Sequence, residues 1–175
     1  MKRRIRTPVL ISAIALSITA GVAFAASVHF KKSPKLTATN NAPDLTLTVS
    51  GALTGLGNGD VTITVVADAI PATTCTNQGG NQAPGQNPAS VTVTGSQHFL
   101  ANQIKNGNLS FCVTTDTPPQ PTSAAAGCAN DNWTARIDCM AFTGYTIEVI
   151  QPSGSGTSVL GPAPFSVSSS SSSCP

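Results

Sequence analysis

The feature that most constrains the fold is a two-residue alternation of apolar side chains with Thr in short segments. Leu45–Val49 reads Leu-Thr-Leu-Thr-Val, and Val61–Val66 reads Val-Thr-Ile-Thr-Val-Val. Successive side chains of a β-strand point to opposite faces, so such a segment buries one face and exposes the other. A helix would need apolar residues every three or four positions. The alternation therefore predicts half-buried strands.

Four more segments share this period, and turn residues separate them. They are 90–94, 109–115, 133–137 and 145–150. Asn58-Gly59 predicts a hairpin turn, and Thr143-Gly144 predicts the turn of a last hairpin. Pro, Gly and Ser mark 71–89 and 116–127 as loops, and 97–105 is the one place for a short helical turn.

Six short strands without a long helix predict an all-β fold. The expected architecture is a disulfide-stabilised, antiparallel, immunoglobulin-like β-sandwich, with a small β-barrel as the alternative. We place this domain at 44–152. A polar segment with two prolines, 26–43, reads as a flexible lead-in, and the Ser-rich tail, 153–175, reads as disordered.

The first 25 residues have the pattern of an export signal. Four cations near the start precede an apolar stretch from Pro8 to Phe24, which ends in Ala23-Phe24-Ala25. This order is typical of a secretory signal peptide with its cleavage site, and a membrane anchor is the alternative. We therefore expect a secreted or cell-surface protein that has no membrane contact after cleavage of residues 1–25.

Charge is scarce, and this excludes several classes of protein. Charged residues make up 9% of the chain, against about 25% in an average soluble protein. The formal net charge of +2 includes the four cations of the signal, and the rest has five Lys and Arg against seven Asp and Glu. A nucleic-acid partner is therefore not expected, and neither is a coiled coil.

Five cysteines follow the signal, and none forms a Cys-x-x-Cys pair. Export makes disulfides the default use of cysteine, and four cysteines allow three pairings. We predict Cys75–Cys128, because both lie in loops rich in Gly and Asn, together with Cys112–Cys139 across a bulge. Cys174 in the tail would then be a spare thiol that is able to link two chains.

Candidates for catalysis are few. His98 is the only histidine in the predicted domain, and no serine sits in a Gly-x-Ser-x-Gly elbow. Asp138 and Glu148 have a spacing that could form a glycosidase pair, but the alternation turns Asp138 outward beside Arg136. We expect an Asp–Arg surface pair there, no enzyme, no metal site and no cofactor.

The stretch Cys75–Pro88 is the richest in amides. If Cys75 meets Cys128, this loop lies beside Ala129–Trp133, and uncharged amides gather near an aromatic ring. Such groups commonly hold sugars, although Asn and Asp also bond their own backbone in turns, and Trp133 has an inward phase that suits the core. The candidate binding residues are Asn77, Asn81, Gln82, Asn130, Asp131, Asn132 and Trp133.

Three segments carry a resemblance to known proteins. Cys75–Pro88, Lys105–Asn108 and Cys128–Ala135 resemble a group of small, signal-bearing bacterial proteins without assigned activity. The resemblance covers residues 44–151 and implies a secreted β-sandwich in which positions 75 and 128 pair. It implies no catalytic residue. Cys112, Cys139 and the tail depart from the pattern.

These observations favour a non-enzymatic structural or surface-associated protein of a cell envelope or extracellular matrix. Its partners would be other copies of itself or a surface polymer. The alternative is a soluble extracellular binding module for a glycan or another surface ligand, with the amide-rich loops 77–87 and 129–132 as the site.

Overall fold

The computed structural model describes residues 28–86, 88–151 and 156–160, so the predicted signal peptide lies outside the described part. This part consists of strands and two 3₁₀ turns, which confirms the all-β prediction. One turn, Ala101–Gln103, falls in the segment predicted to hold a helical turn. The strands are β1 (His29–Phe30), β2 (Thr37–Asn41), β3 (Thr46–Thr54), β4 (Val61–Thr76), β5 (Gln82–Pro84), β6 (Val91–Phe99), β7 (Leu109–Thr114), β8 (Thr134–Gln151) and β9 (Gly156–Leu160).

The strands form two antiparallel sheets around one core. In sheet A, β3 pairs with β7 on one side and with β1 and β2 on the other. In sheet B, β4 pairs with β8 and β6, and β5 and β9 extend the sheet. Leu47 and Val49 of sheet A and Ile63 and Val65 of sheet B are fully buried in the same cluster. The alternation of apolar and polar residues in the sequence is therefore the alternation between core and surface. The immunoglobulin-like assignment stays a prediction.

Two strands are much longer than the sequence indicated. The segment from 71 was predicted as a loop, yet β4 continues through Pro71 to Thr76. Pro71 lies between the residues of β4 that pair with β6 and those that pair with β5. A residue without an N–H fits this gap, because the side of β4 that pairs with β6 and β5 has no partner strand there, while Pro71 still pairs with Met140 of β8 on the other side.

The predicted turn at Thr143-Gly144 is also wrong, because β8 runs through it without interruption. The register shifts there by one residue, so that Asp68 pairs with Gly144 and Ala69 with Phe142. Thr143 is the extra residue of this β-bulge, and its hydroxyl donates to the Asp68 carbonyl. A bulge absorbs a turn-like dipeptide without ending the strand.

The Asn58-Gly59 turn joins the two sheets and is not a hairpin, since β3 and β4 do not pair. Gln151, with no exposed surface, holds this turn. Its Oε1 accepts from the Gly57 N–H at 2.7 Å, and its Nε2 donates to the carbonyls of Gly57 and Gly59 at 3.1 and 2.7 Å. The buried Gln151 amide therefore gives the turn hydrogen bonds in place of the strand-to-strand hydrogen bonds of a hairpin.

The predicted lead-in and tail both contribute strands. β1 and β2 fall within 26–43 and pair along β3, and β9 falls within 153–175 and pairs with β8. The expectation of a flexible lead-in is corrected there, because two sheet edges were open to pairing. The rest of the tail lies outside the described residues.

A backbone hydrogen bond joins the two sheets where β6 passes the end of β7. The Asp116 N–H donates to the Thr94 carbonyl at 2.8 Å. A Cβ at position 95 would collide with the backbone of Thr114 and Thr115, so only glycine permits this approach.

Replacing Gln151 by Leu leaves the backbone groups of the Gly57–Gly59 turn without their partners. We expect the free energy of unfolding to fall by about 2–4 kcal/mol, measured by urea denaturation. Gln97→Leu is the matched control, because Gln97 is exposed on β6 and should change stability by less than about 0.5 kcal/mol. Equal stability of the two variants would contradict the role of Gln151.

Candidate functional site

The candidate site lies where β4 ends and β8 begins. Thr73–Thr76 pair with Thr134–Ile137, and β5 pairs with the last three residues of β4. The predicted Cys75–Cys128 disulfide is confirmed, with a Cα–Cα distance of 5.7 Å. It ties the loop before Trp133 to the end of β4. The two amide-rich segments are therefore held at the same end of the sandwich.

Backbone contacts join the loop after β5 to the segment before Cys128. The Gly85 N–H donates to the Thr73 carbonyl at 2.8 Å, and the Gln86 N–H donates to the Gly127 carbonyl at 3.3 Å. Gly127 has a positive φ of 68°, and a Cβ there would overlap the backbone of Gln86. Only glycine allows this approach, so the loop has a defined position.

A groove of about 570 Å³ opens beside these loops, and we call it the polar groove. Five of its seven lining side chains carry a hydroxyl or an amide, and the other two are Ala135 and one cation, Arg136. The Arg136 Nη2 lies 2.7 Å from Asp138 Oδ1, which confirms the predicted surface Asp–Arg pair. The groove is therefore polar, and its single cation is paired. Its lining is Thr74, Thr76, Gln82, Gln120, Thr134, Ala135 and Arg136.

Of the seven predicted binding residues, Gln82 lines the polar groove. Asn77 shapes its own loop, because its Oδ1 accepts from the N–H groups of Gly79 and Asn81 at 2.9 Å each. Asn130 Oδ1 accepts from the Asn132 N–H at 3.0 Å. These two amides do the turn chemistry that was the alternative interpretation.

The other predicted residues lie around the groove without lining it. Asn81, Asp131 and Asn132 are exposed, and Trp133 is half-buried. The expectation that Trp133 is a core residue is wrong, since it precedes β8 and lies outside the core cluster. Its backbone carbonyl accepts from the Ser123 hydroxyl.

Sequence reasoning missed most of the groove lining. Thr74 and Thr76 alternate on β4, and Thr134 and Arg136 alternate on β8, which is a signal for one shared face. Gln120 comes from the irregular segment 116–127, and its Oε1 accepts from the Ile137 N–H at 2.9 Å. No local pattern places that residue, because its partner lies on β8, 17 residues further along the chain.

The second predicted disulfide, Cys112–Cys139, is wrong. Cys112 is an exposed free thiol on β7 of sheet A. Cys139 belongs to sheet B and is disulfide-bonded. The predicted bulge beside Cys139 does exist, with Asp138 as the extra residue. The two sheets keep the thiols apart, and Cys174 lies outside the described residues.

The carboxylates weighed for glycoside cleavage do not face each other. Asp138 and Glu148 lie on the same strand, β8, and ten residues of a strand span roughly 33 Å. A glycosidase pair needs carboxyl groups within about 10 Å of each other. This arrangement cannot flank one glycosidic bond.

A hydroxyl, an imidazole and a carboxylate align near the start of β4. Thr62 Oγ1 lies 3.2 Å from His98 Nδ1, and His98 Nε2 lies 3.5 Å from Asp60 Oδ2. The Asp60 Oδ1 also accepts from the Ala101 N–H at 2.8 Å. The three groups lie on an exposed surface, and none lines the polar groove. Nucleophilic catalysis also needs hydrogen-bond donors that stabilise a developing oxyanion, and it needs groups that hold the substrate in place.

Within 28–86, 88–151 and 156–160, no three His, Cys, Asp or Glu side chains come together as a metal site would require. The same residues contain no helix with the length and hydropathy needed to cross a bilayer.

Comparison of the chain with protein-family models, curated proteins and solved structures finds no match.

Removing the disulfide with Cys75→Ala and Cys128→Ala should lower the free energy of unfolding by about 4 kcal/mol, since the bond closes a loop of some fifty residues. Chemical denaturation measures this loss. Cys112→Ala, which removes an exposed thiol, is the control and should stay within about 0.5 kcal/mol of the wild type. A double variant as stable as the control would show that backbone contacts alone hold the loop.

Proposed function

We propose that the protein is a non-enzymatic extracellular module that associates with a cell envelope and binds an uncharged polyhydroxylated polymer, a glycan, in the polar groove. The single observation that carries the proposal is the composition of that groove, which collects threonine hydroxyls and glutamine amides at the disulfide-bonded end. The proposal therefore combines the surface-associated role with its alternative, the glycan-binding module.

The chemistry of the lining suits sugar hydroxyls. A hydroxyl both donates and accepts, and a primary amide offers two donors and an acceptor, so these groups match a ligand rich in hydroxyls. The Gln82 side chain is exposed on β5 and lines the groove. The volume of about 570 Å³ lies in the usual range for ligand sites.

The proposed extracellular setting rests on the sequence and on the disulfide. The pattern of residues 1–25 supports export, and the Cys75–Cys128 bond is typical of an oxidising compartment. The resemblance to small secreted bacterial β-sandwich proteins supports the same setting. Because the carboxylates of β8 are far apart, binding without glycoside cleavage is the simpler role.

A panel of neutral polysaccharides tests the proposal by pull-down, followed by titration with soluble oligomers of any polymer that retains the protein. Gln82→Ala should weaken binding by about fivefold, the effect of one lost hydrogen bond of roughly 1 kcal/mol. Gln97→Ala removes the same side chain from β6, outside the groove, and should bind as the wild type does. The proposal fails if no neutral polymer retains the wild type, or if both variants lose affinity equally.

A second candidate is a structural role in which chains are linked covalently. The exposed free thiol of Cys112 favours it, in place of the Cys174 thiol that the sequence suggested. Two Cys112 thiols would lose two protons and two electrons to an extracellular oxidant and form one S–S bond.

Gels of the native cell-surface fraction, run with and without reductant, test this role. A covalent dimer is expected that collapses on reduction and is absent in Cys112→Ser, while Cys174→Ser measures the contribution of the tail. A dimer that persists in Cys112→Ser would exclude Cys112 as the linking thiol.

A further inference from the structure

We propose a second binding site, for an oxyanion carried on a saccharide polymer, between Lys31 and Lys105, in a groove lined by residues of both sheets. These lysines line a groove of about 380 Å³, which we call the lysine groove. It lies near Phe99, which pairs with Val61 at the start of β4, whereas the polar groove lies at the other end of that strand. The inference is independent of the proposed function.

Both lysines stand on backbone that is held in place. The Lys31 N–H donates to the Ala52 carbonyl at 2.8 Å, which anchors the loop between β1 and β2 to β3. Lys105 and Asn108 exchange two backbone hydrogen bonds of 2.9 Å around Asn106-Gly107. Both turn residues have a positive φ, as a tight two-residue turn requires. The loop that carries Lys31 and the turn that carries Lys105 therefore form two walls of the lysine groove, and backbone hydrogen bonds hold each of them.

Within the described residues, no carboxylate forms a salt bridge with the two lysines of this groove. None of its lining residues is acidic. In the part of the chain that the structure describes, the salt bridges involve His98 and Arg136, and none involves a lysine. Asp60 of the neighbouring turn already accepts from Ala101 and faces His98. Two like charges at one groove favour an anionic ligand, which lowers their mutual repulsion.

Most polar groups of the groove are donors, and the exception is Asn108, whose Nδ2 donates to the carbonyls of Lys105 and Asn106 and leaves Oδ1 as an acceptor. Gln103 uses its Oε1 to accept from the Leu100 N–H at 2.7 Å, so its amide NH₂ remains as the donor end. Ser110 adds an exposed hydroxyl, while Ala52 and Leu109 supply an apolar floor. Donors beside an apolar floor fit an acceptor-rich anion on a sugar ring better than a bare ion. A carboxylate of a uronic acid and a phosphodiester share this chemistry.

Titration calorimetry at low ionic strength, on the purified disulfide-bonded protein, tests the site. The probes are a galacturonic acid hexamer, a neutral galactose hexamer, a hexamer of galactose units joined by phosphodiesters and vesicles of anionic lipid. We expect binding of one or both anionic hexamers, weakened by added salt, with no binding of the neutral hexamer. The anionic hexamer that binds more tightly identifies the source of the oxyanion.

Matched variants separate the groove from general charge attraction. Lys31→Gln and Lys105→Gln should each weaken binding by about threefold to fivefold. Lys32→Gln and Lys35→Gln remove the same charge from the same loop but outside the groove, and they should leave the affinity unchanged. Thermal melts confirm that all four variants fold.

Three results would overturn the site. The first is that neither anionic hexamer binds, or that only the vesicles do. The second is that the neutral hexamer binds as well as the anionic ones. The third is an equal loss of affinity in the Lys35→Gln and Lys105→Gln variants. If Gln82→Ala does not change glycan binding at the polar groove, this inference still stands, because the two grooves share no residue.

Discussion

The antiparallel pairing of β4 with β8 is the constraint on which the rest of the structure depends. The two strands stay paired from Thr62 with Ile150 to Thr76 with Thr134. One half of this ladder forms a wall of the core, and the other half extends to the disulfide and carries the amide-rich loops. Because a shift of one residue would exchange the two faces, the register also decides which threonines reach the polar groove.

Buried polar groups complete the ends of the sandwich where the ladders stop. Gln151 binds the turn between the sheets, and the Thr115 hydroxyl accepts from the Leu47 N–H at 3.0 Å. Glutamine side chains are mostly exposed in proteins, so the sequence around Gln151 does not predict that this side chain is buried. Its position at the end of β8, opposite the crossing turn, makes it the hydrogen-bond partner of a backbone without strand neighbours.

The two grooves offer different chemistry at different ends of the molecule. The polar groove combines neutral donors and acceptors with one paired arginine, whereas the lysine groove presents two cations without an acidic neighbour in its lining. In a chain of such low charge, this separation matters, because few other groups screen or compete with those lysines. A polymer with both neutral and anionic sugars would meet complementary chemistry at each end.

The sequence by itself determined the all-β class, the core-facing side of most strands and the Cys75–Cys128 bond. The class and the faces depend on local periodicity, and the bond was predicted from two cysteines in segments rich in Gly and Asn, although Cys75 lies on β4. These features can be read without knowing which strands pair. The placement of Thr143-Gly144 and Pro71 inside strands could not be read, since a bulge or a gap depends on the neighbouring strand.

Only the tertiary structure decided the site. Gln120 reaches the polar groove through its bond to the Ile137 N–H of β8, and Lys31 and Lys105 line one groove because β1 and β7 flank the same strand. It also kept Cys112 and Cys139 apart, on different sheets. The physical reason is the same in each case: strand order and register bring together residues that are far apart in sequence, and local propensity carries no information about that pairing.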